Sequence, residues 1–157
     1  MKLKIVGSGG MSIIPSSFCK CKICQEARQK GGRYERLGPS LYIDDIKMLI
    51  DTPEEIAVAC NRQNITEVKH LSISHSDPDH VKGMRIVEKI GYDFIQEKSM
   101  PIGFYALPEV IEDINRMNGD CLKYYGDILQ CISVRGTSHT RLYNFYKCQH
   151  CCRINCF

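Results

Sequence analysis

His75-Ser76-Asp77-Pro78-Asp79-His80 follows directly on the apolar run Val68-Lys69-His70-Leu71-Ser72-Ile73-Ser74, and these two segments decide how the chain is read. The run reads as a buried strand, and the six residues after it as a polar loop at the strand's carboxyl end. Two imidazoles and two carboxylates crowd into that loop, in a chain that has 5 histidines in all. Neutral imidazole nitrogen and carboxylate oxygen are the ligands that hold divalent metals in hydrolytic sites. Pro78 suits the first position of a helix, where its missing N–H costs nothing. The loop is therefore read as a metal site. A solvated turn whose histidines cap the next helix is the bland alternative.

Composition sets the outer limits. A chain of 157 residues with 43% hydrophobic content is long enough for one domain with a real core. A net charge of +3, with Lys and Arg scattered, gives no clear nucleic-acid surface and no argument for a membrane partner. The apolar stretch near Met1 is too short for a signal peptide, and no run approaches membrane-spanning length. A cytoplasmic protein with reduced thiols is expected. Of the 10 cysteines, Cys60 and Cys131 sit in apolar helical and strand-like settings and read as inert core residues, with Cys121 also isolated. His70, inside the strand, reads as a packed or edge residue.

Cys19-Lys20-Cys21-Lys22-Ile23-Cys24 is a Cys-x-Cys-x-x-Cys cluster. Three thiolates this close can share one tetrahedral zinc, with a fourth ligand from elsewhere. Surface thiols without metal are the weaker reading, since clustered exposed thiols oxidise easily. The preceding Gly7-Ser8-Gly9-Gly10 lacks the Gly-Lys-Ser/Thr end of a phosphate-binding loop and is better read as a tight turn.

The pattern along the chain predicts strands over Lys2–Val6, Ser40–Ile43, Lys47–Ile50, Ile102–Ala106 and Leu129–Val134. Helices are predicted over Ile23–Lys30, Pro53–Arg62, His80–Ile90 and Pro108–Met117, with Glu54 and Glu55 in the first turn of the second. Asp120 to Gly126 reads as a turn. No repeat or linker divides the chain.

The metal loop resembles the signature loop of the metallo-β-lactamase-fold hydrolases, His-x-His-x-Asp-His at the end of a strand. The match is at His75, Asp79 and His80; Asp77 stands where most members have a second histidine, as in some nuclease-like branches. A carboxylate there hardens the site and moves the expected metal from zinc toward manganese or a mixture. The order of strand, glycine turn, cysteine cluster and helix resembles one branch in particular, the cyclic phosphodiesterases of the phosphonate-degradation pathway. The fold this implies is α/β, the αββα sandwich, with its N-terminal half and a little more present.

The resemblance implies the roles of further residues. Asp51 lies where the family has an Asp that supports the metal loop by hydrogen bonding; a helix cap or turn residue beside Thr52 is the alternative. His139, 64 positions after His75, matches the histidine that completes the first metal site. His75, Asp77 and His139 would then hold one divalent ion, with Asp79 and His80 in a second site. Water activated by two zinc or manganese ions would attack phosphorus, with Asp79 orienting it or taking its proton. Cys19, Cys21 and Cys24 would carry a structural zinc. The substrate implied is a small-molecule or nucleotide-like phosphodiester.

The match covers residues 1–141. From Leu142 to Phe157 the composition changes, with Cys148, Cys151, Cys152 and Cys156 and no acidic residue, and the segment reads as an aberrant or disordered tail. It could instead offer the missing zinc ligand. The family's bridging Asp and last histidine are not found, so weak binding at the second ion and low or lost activity are expected. Two readings of another kind stay open, a non-catalytic structural zinc remnant and a thiol redox or metal-trafficking module, while a homodimer whose neighbour supplies what is missing would rescue the enzyme reading.

Overall fold

Short apolar runs punctuated by turn residues set the strands of the computed structural model, which describes residues 1–119 and 121–134. β1 (Leu3–Gly7), β2 (Ser40–Ile43) and β3 (Met48–Ile50) pair antiparallel in sequence. The β2–β3 turn places Lys47 at a φ of 54°, with its ammonium 2.7 Å from the Asp44 carboxylate. β4 (His70–Ser72), β7 (Ile102–Ala106) and β8 (Leu129–Ser133) then add in parallel, giving a six-stranded mixed sheet in the order β1-β2-β3-β4-β7-β8. Parallel neighbours need crossover connections, and helices supply them. α2 (Ile56–Arg62) joins β3 to β4, while α5 (Pro108–Met117) and α6 (Cys121–Tyr124) join β7 to β8. α1 (Lys22–Lys30) starts within the cysteine cluster, capped by Cys21 and carrying Cys24.

The register puts Leu49, Leu71 and Phe104 side by side on three adjacent strands, and all three are fully buried. Ile56 and Ala59 of α2 and Ile114 of α5 belong to the same core. Truncating a ring so placed, as in Phe104→Ala, typically costs about 3–5 kcal/mol. The opposite sheet face carries Leu3, Ile5, Leu41, Ile43, Met48, Ile50 and Tyr105, and these are half-buried or exposed. Leu3 and Ile5 are 49% and 61% exposed. Among the described residues, one face of the sheet is therefore a packed core, and the other is largely apolar and only partly covered.

Four sequence expectations are corrected. The helix predicted over His80–Ile90 is broken into α3 (Pro78–Val81), a 3₁₀ turn (Met84–Ile86) and α4 (Val87–Ile90). The cause is Gly83, whose N–H bonds the Thr52 carbonyl at 2.8 Å instead of continuing the helical ladder. The second helix starts at Ile56, leaving Glu54 and Glu55 ahead of it, because Thr52 and Pro53 are buried against that same Gly83 contact. Residues 121–124, read as a turn, form α6. Cys131 is exposed and not a core residue, since β8 is an outer strand of the sheet. A two-residue hairpin, β5 (Tyr92–Asp93) with β6 (Lys98–Ser99), is too short to show in periodicity. Among the described residues no helix is long and apolar enough to cross a membrane.

Candidate metal centre

Asp51 is where the site is assembled. The parallel ladder carries on past Ile50 through the Asp51 N–H to the Ser72 carbonyl (2.8 Å), and Asp51 then takes a φ of 62°. Aspartate tolerates this left-handed region better than most residues. Its buried carboxylate is thereby turned toward the carboxyl end of β4, where ligands of parallel sheets gather. Asp51 Oδ1 accepts the Ser74 N–H at 2.7 Å, and Asp51 Oδ2 lies 2.9 Å from His80 Nδ1. The Ser74 hydroxyl reaches both carboxylate oxygens, at 2.9 and 2.7 Å, and lies 2.9 Å from His75 Nδ1. Thr52 N–H donates to the His80 carbonyl at 2.7 Å, so that histidine is held by its backbone as well as its ring.

Both imidazoles are engaged through Nδ1, which leaves Nε2 for the loop. His75 Nε2 stands 3.5 Å from Asp77 Oδ2, and His80 Nε2 stands 3.6 Å from Asp79 Oδ2. The two rings lie together with centroids 3.8 Å apart. Two ligand atoms at roughly 2.1 Å from a tetrahedral ion are about 3.4 Å apart, so each His–Asp pair already has the spacing of a chelating edge. Donor chemistry fits a divalent ion of intermediate hardness. The four ligand atoms form two pairs and not a set of three within 4.8 Å. Each ion would thus need a further ligand, and His139, the sequence candidate, lies outside the described residues.

His80 carries the electrostatic signature of this arrangement. Burial pulls its imidazolium down, but the bond to Asp51 and the charges of Asp51, Asp79 and Asp77 outweigh that and hold it above the usual histidine range. His70 lies apart, half-buried on β4 with the Tyr105 hydroxyl 3.2 Å from its Nδ1.

The cysteine cluster forms a second group. Among the described residues, Cys19, Cys21 and Cys24 are the three whose ligand atoms all lie within 4.8 Å of one another. Sulfurs around a tetrahedral zinc at about 2.3 Å are about 3.8 Å apart, so a small contraction would suffice. Cys21 caps α1, its sulfur accepting from the Cys24 N–H at 3.4 Å. Arg28 clamps the approach, donating to the carbonyls of Cys19 (2.6 Å) and Ser16 (2.7 Å). The Ser16 N–H pulls the Cys24 thiol down, but burial and the neighbouring Cys19 and Cys21 thiols push it up on balance. The cysteines and histidine of the tail, Cys148 to Cys156, lie outside the described residues.

A cavity of about 390 Å³ has Asp77 and Asp79 of the loop in its lining. Ser12, Ser16, Ser17, Glu54 and Glu55 also line it. Three contributors escaped the sequence reading. Ser74 and Thr52 are small polar residues with no distinctive spacing. Gly83 is needed because a Cβ there would stand 2.0 Å from the Pro53 carbonyl oxygen.

Sequence comparison finds no matching family model and no matching curated protein. The fold, however, is similar to solved structures. A diphosphatase of the PhnP family superposes with a TM-score of 0.68 at 23% identity, over 86% of this chain and 50% of its own. Zinc-bound PqqB from Methylobacterium extorquens gives a TM-score of 0.68 at 18% identity, over 85% of this chain and 49% of its own. The chain has the metallo-β-lactamase fold of these proteins and spans about half the length of each.

Proposed function

We propose that this chain carries the metal loop of a metal-dependent hydrolase whose substrates are phosphodiesters. The observation that supports the reading most directly is the paired spacing of His75 with Asp77 and His80 with Asp79, both imidazoles turned by contacts on Nδ1. His75 and Asp77, with His139, would hold one zinc or manganese ion, and Asp79 and His80 a second. Such ions, when bound, lower the pKa of water and offset charge developing on phosphoryl oxygens. The chain's own part is positional. Asp51 keeps Nε2 of His80 free of hydrogen by taking its Nδ1–H, the second-sphere arrangement common around metal-bound histidine. Asp79, half-buried in the cavity lining, either ligates or accepts the proton lost by water. Ser12 and Ser16 offer hydroxyls to the remainder of the substrate. The neighbour described as a diphosphatase supports phosphorus chemistry. Cys19, Cys21 and Cys24 would hold a structural zinc, and a cytoplasmic setting would keep them reduced.

The test is metal content per chain by elemental analysis, on wild type and His80→Ala, with hydrolysis of bis(p-nitrophenyl) phosphate alongside. Zinc on the cysteine cluster plus a second metal that disappears in the variant, together with turnover, is the expected result. A single zinc untouched by the substitution sinks the hydrolase reading. It would favour the second one, a structural zinc protein, which rests on the cysteines being the described set of three closely spaced ligand atoms.

A further inference from the structure

We propose that Ser74 is a positioning residue that passes the orienting effect of Asp51 on to His75, so that one buried carboxylate sets both imidazoles of the loop. The inference concerns the chain's own hydrogen bonds and goes beyond the hydrolase reading. It begins with the inventory of hydrogens. A carboxylate oxygen accepts only, a serine hydroxyl has one hydrogen to give, and a neutral imidazole has one N–H. The Ser74 hydroxyl lies 2.7 and 2.9 Å from the two Asp51 oxygens and 2.9 Å from His75 Nδ1. If Ser74 gave its hydrogen to His75, its lone pairs would face both carboxylate oxygens at those distances, which is repulsive. Ser74 therefore donates to Asp51 and accepts from His75, and the hydrogen of His75 sits on Nδ1.

That assignment has a chemical consequence. With its hydrogen on Nδ1, His75 presents a bare Nε2 beside Asp77 Oδ2, 3.5 Å away, in ligating form. The competing tautomer would place N–H on Nε2 and donate to Asp77, removing both atoms from a metal at once. Ser74 is what disfavours it. His80 has the same orientation from Asp51 directly, through Nδ1 at 2.9 Å. The Ser74 N–H bond to Asp51 at 2.7 Å holds the serine in place independently of its hydroxyl. Ser74→Ala thus keeps the backbone tie and deletes only the relay. Ser74 is exposed, which leaves room for the extra methyl of Ser74→Thr.

The experiment is nitrogen-15 NMR of histidine-labelled, metal-free full-length chain at roughly pH 8, above the ordinary imidazole range. Resonances are assigned with His75→Gln. Wild type is expected to show bare Nε2 for both His75 and His80. In Ser74→Ala the His75 signals should move toward protonated Nε2 while those of His80 stay, and Ser74→Thr should restore them. A purely structural role would disturb both histidines or neither. In a parallel manganese titration, Ser74→Ala should bind the loop about ten-fold more weakly and the threonine variant normally. A wild-type His75 with hydrogen on Nε2 overturns the proposal even if no variant folds. So does a Ser74→Ala tautomer identical to wild type, or a folded Ser74→Thr that fails to restore it. If no chain binds metal at the loop, the hydrolase reading fails, and the tautomer result still decides the role of Ser74.

Discussion

Replacing Asp51 by Asn changes one oxygen to an amide nitrogen and little else in shape, so it isolates the chemistry of the site from its packing. Asn also tolerates the φ of 62° found here. Its remaining oxygen can still accept the Ser74 N–H, which in the native chain lies 2.7 Å from Oδ1. The new NH₂ then faces His80 Nδ1, which in the native chain stands 2.9 Å from Oδ2. Two donors cannot share that contact, so the His80 hydrogen moves to Nε2 and the ring loses its ligating lone pair. Loss of such an outer partner typically weakens metal binding about 10- to 100-fold, or roughly 1.4–2.7 kcal/mol. Manganese titration against a chelating dye, with circular dichroism as a folding control, reads this directly. An Asp51→Asn chain that binds metal at the loop as wild type does would refute the reasoning. The same variant tests the charge argument in metal-free protein. His80 is held above its ordinary value, so its stabilising effect is complete below about pH 6.5 and lost as pH rises through the higher folded value. The gap in thermal midpoint between wild type and Asp51→Asn should therefore widen from about pH 8 down to about pH 6. A gap that stays flat or narrows contradicts it.

Other outcomes follow from packing. Gly83→Ala forces a Cβ to within 2.0 Å of the Pro53 carbonyl oxygen, so the backbone must shift; a loss of about 1–3 kcal/mol in urea unfolding is expected, and a neutral substitution would show that this contact is not rigid. Burial pushes the Cys60 thiol up to about 11, and desolvation also raises that of Cys131, but only Cys131 is exposed, so it should be alkylated faster than native Cys60, as peptide mass mapping would show; equal labelling of the two would contradict the core placement. The partly covered, largely apolar sheet face predicts self-association that Ile5→Lys weakens, measured by sedimentation velocity across a concentration series. A wild-type chain that stays monomeric throughout argues against a homodimer on that face.

How much of this was legible before folding differs by residue. The strand Ile102–Ala106 and the helix Pro108–Met117 stand where the pattern puts them, because a short run with aromatic residues in one and a Pro start in the other are local signals. The helix expected over His80–Ile90 is broken in the fold. Its apolar residues have helical spacing, but the tie from Gly83 to Thr52 comes from a segment about thirty residues earlier, which periodicity cannot see. Cys131 was misplaced for a related reason. An apolar strand looks the same in sequence whether it lies at the centre of a sheet or at its margin.

The sequence by itself determined the candidate ligand types and their order: three cysteines in a Cys-x-Cys-x-x-Cys cluster, and two His and two Asp within six residues after a strand. Such short-range clusters need no tertiary contact to be recognised, since backbone reach alone keeps their ligand atoms close. Only the tertiary structure decided how they are aimed. Asp51 and Ser74 are 23 positions apart, and Asp51 and His80 are 29 apart. They meet because β3 and β4 lie parallel in register, Ile50 beside Ser72, so that the ends of both strands open at the same edge. A hydrogen bond that selects one nitrogen of an imidazole depends on a few tenths of an ångström. That precision comes from the packed sheet beneath the loop and cannot be read from the spacing of its residues.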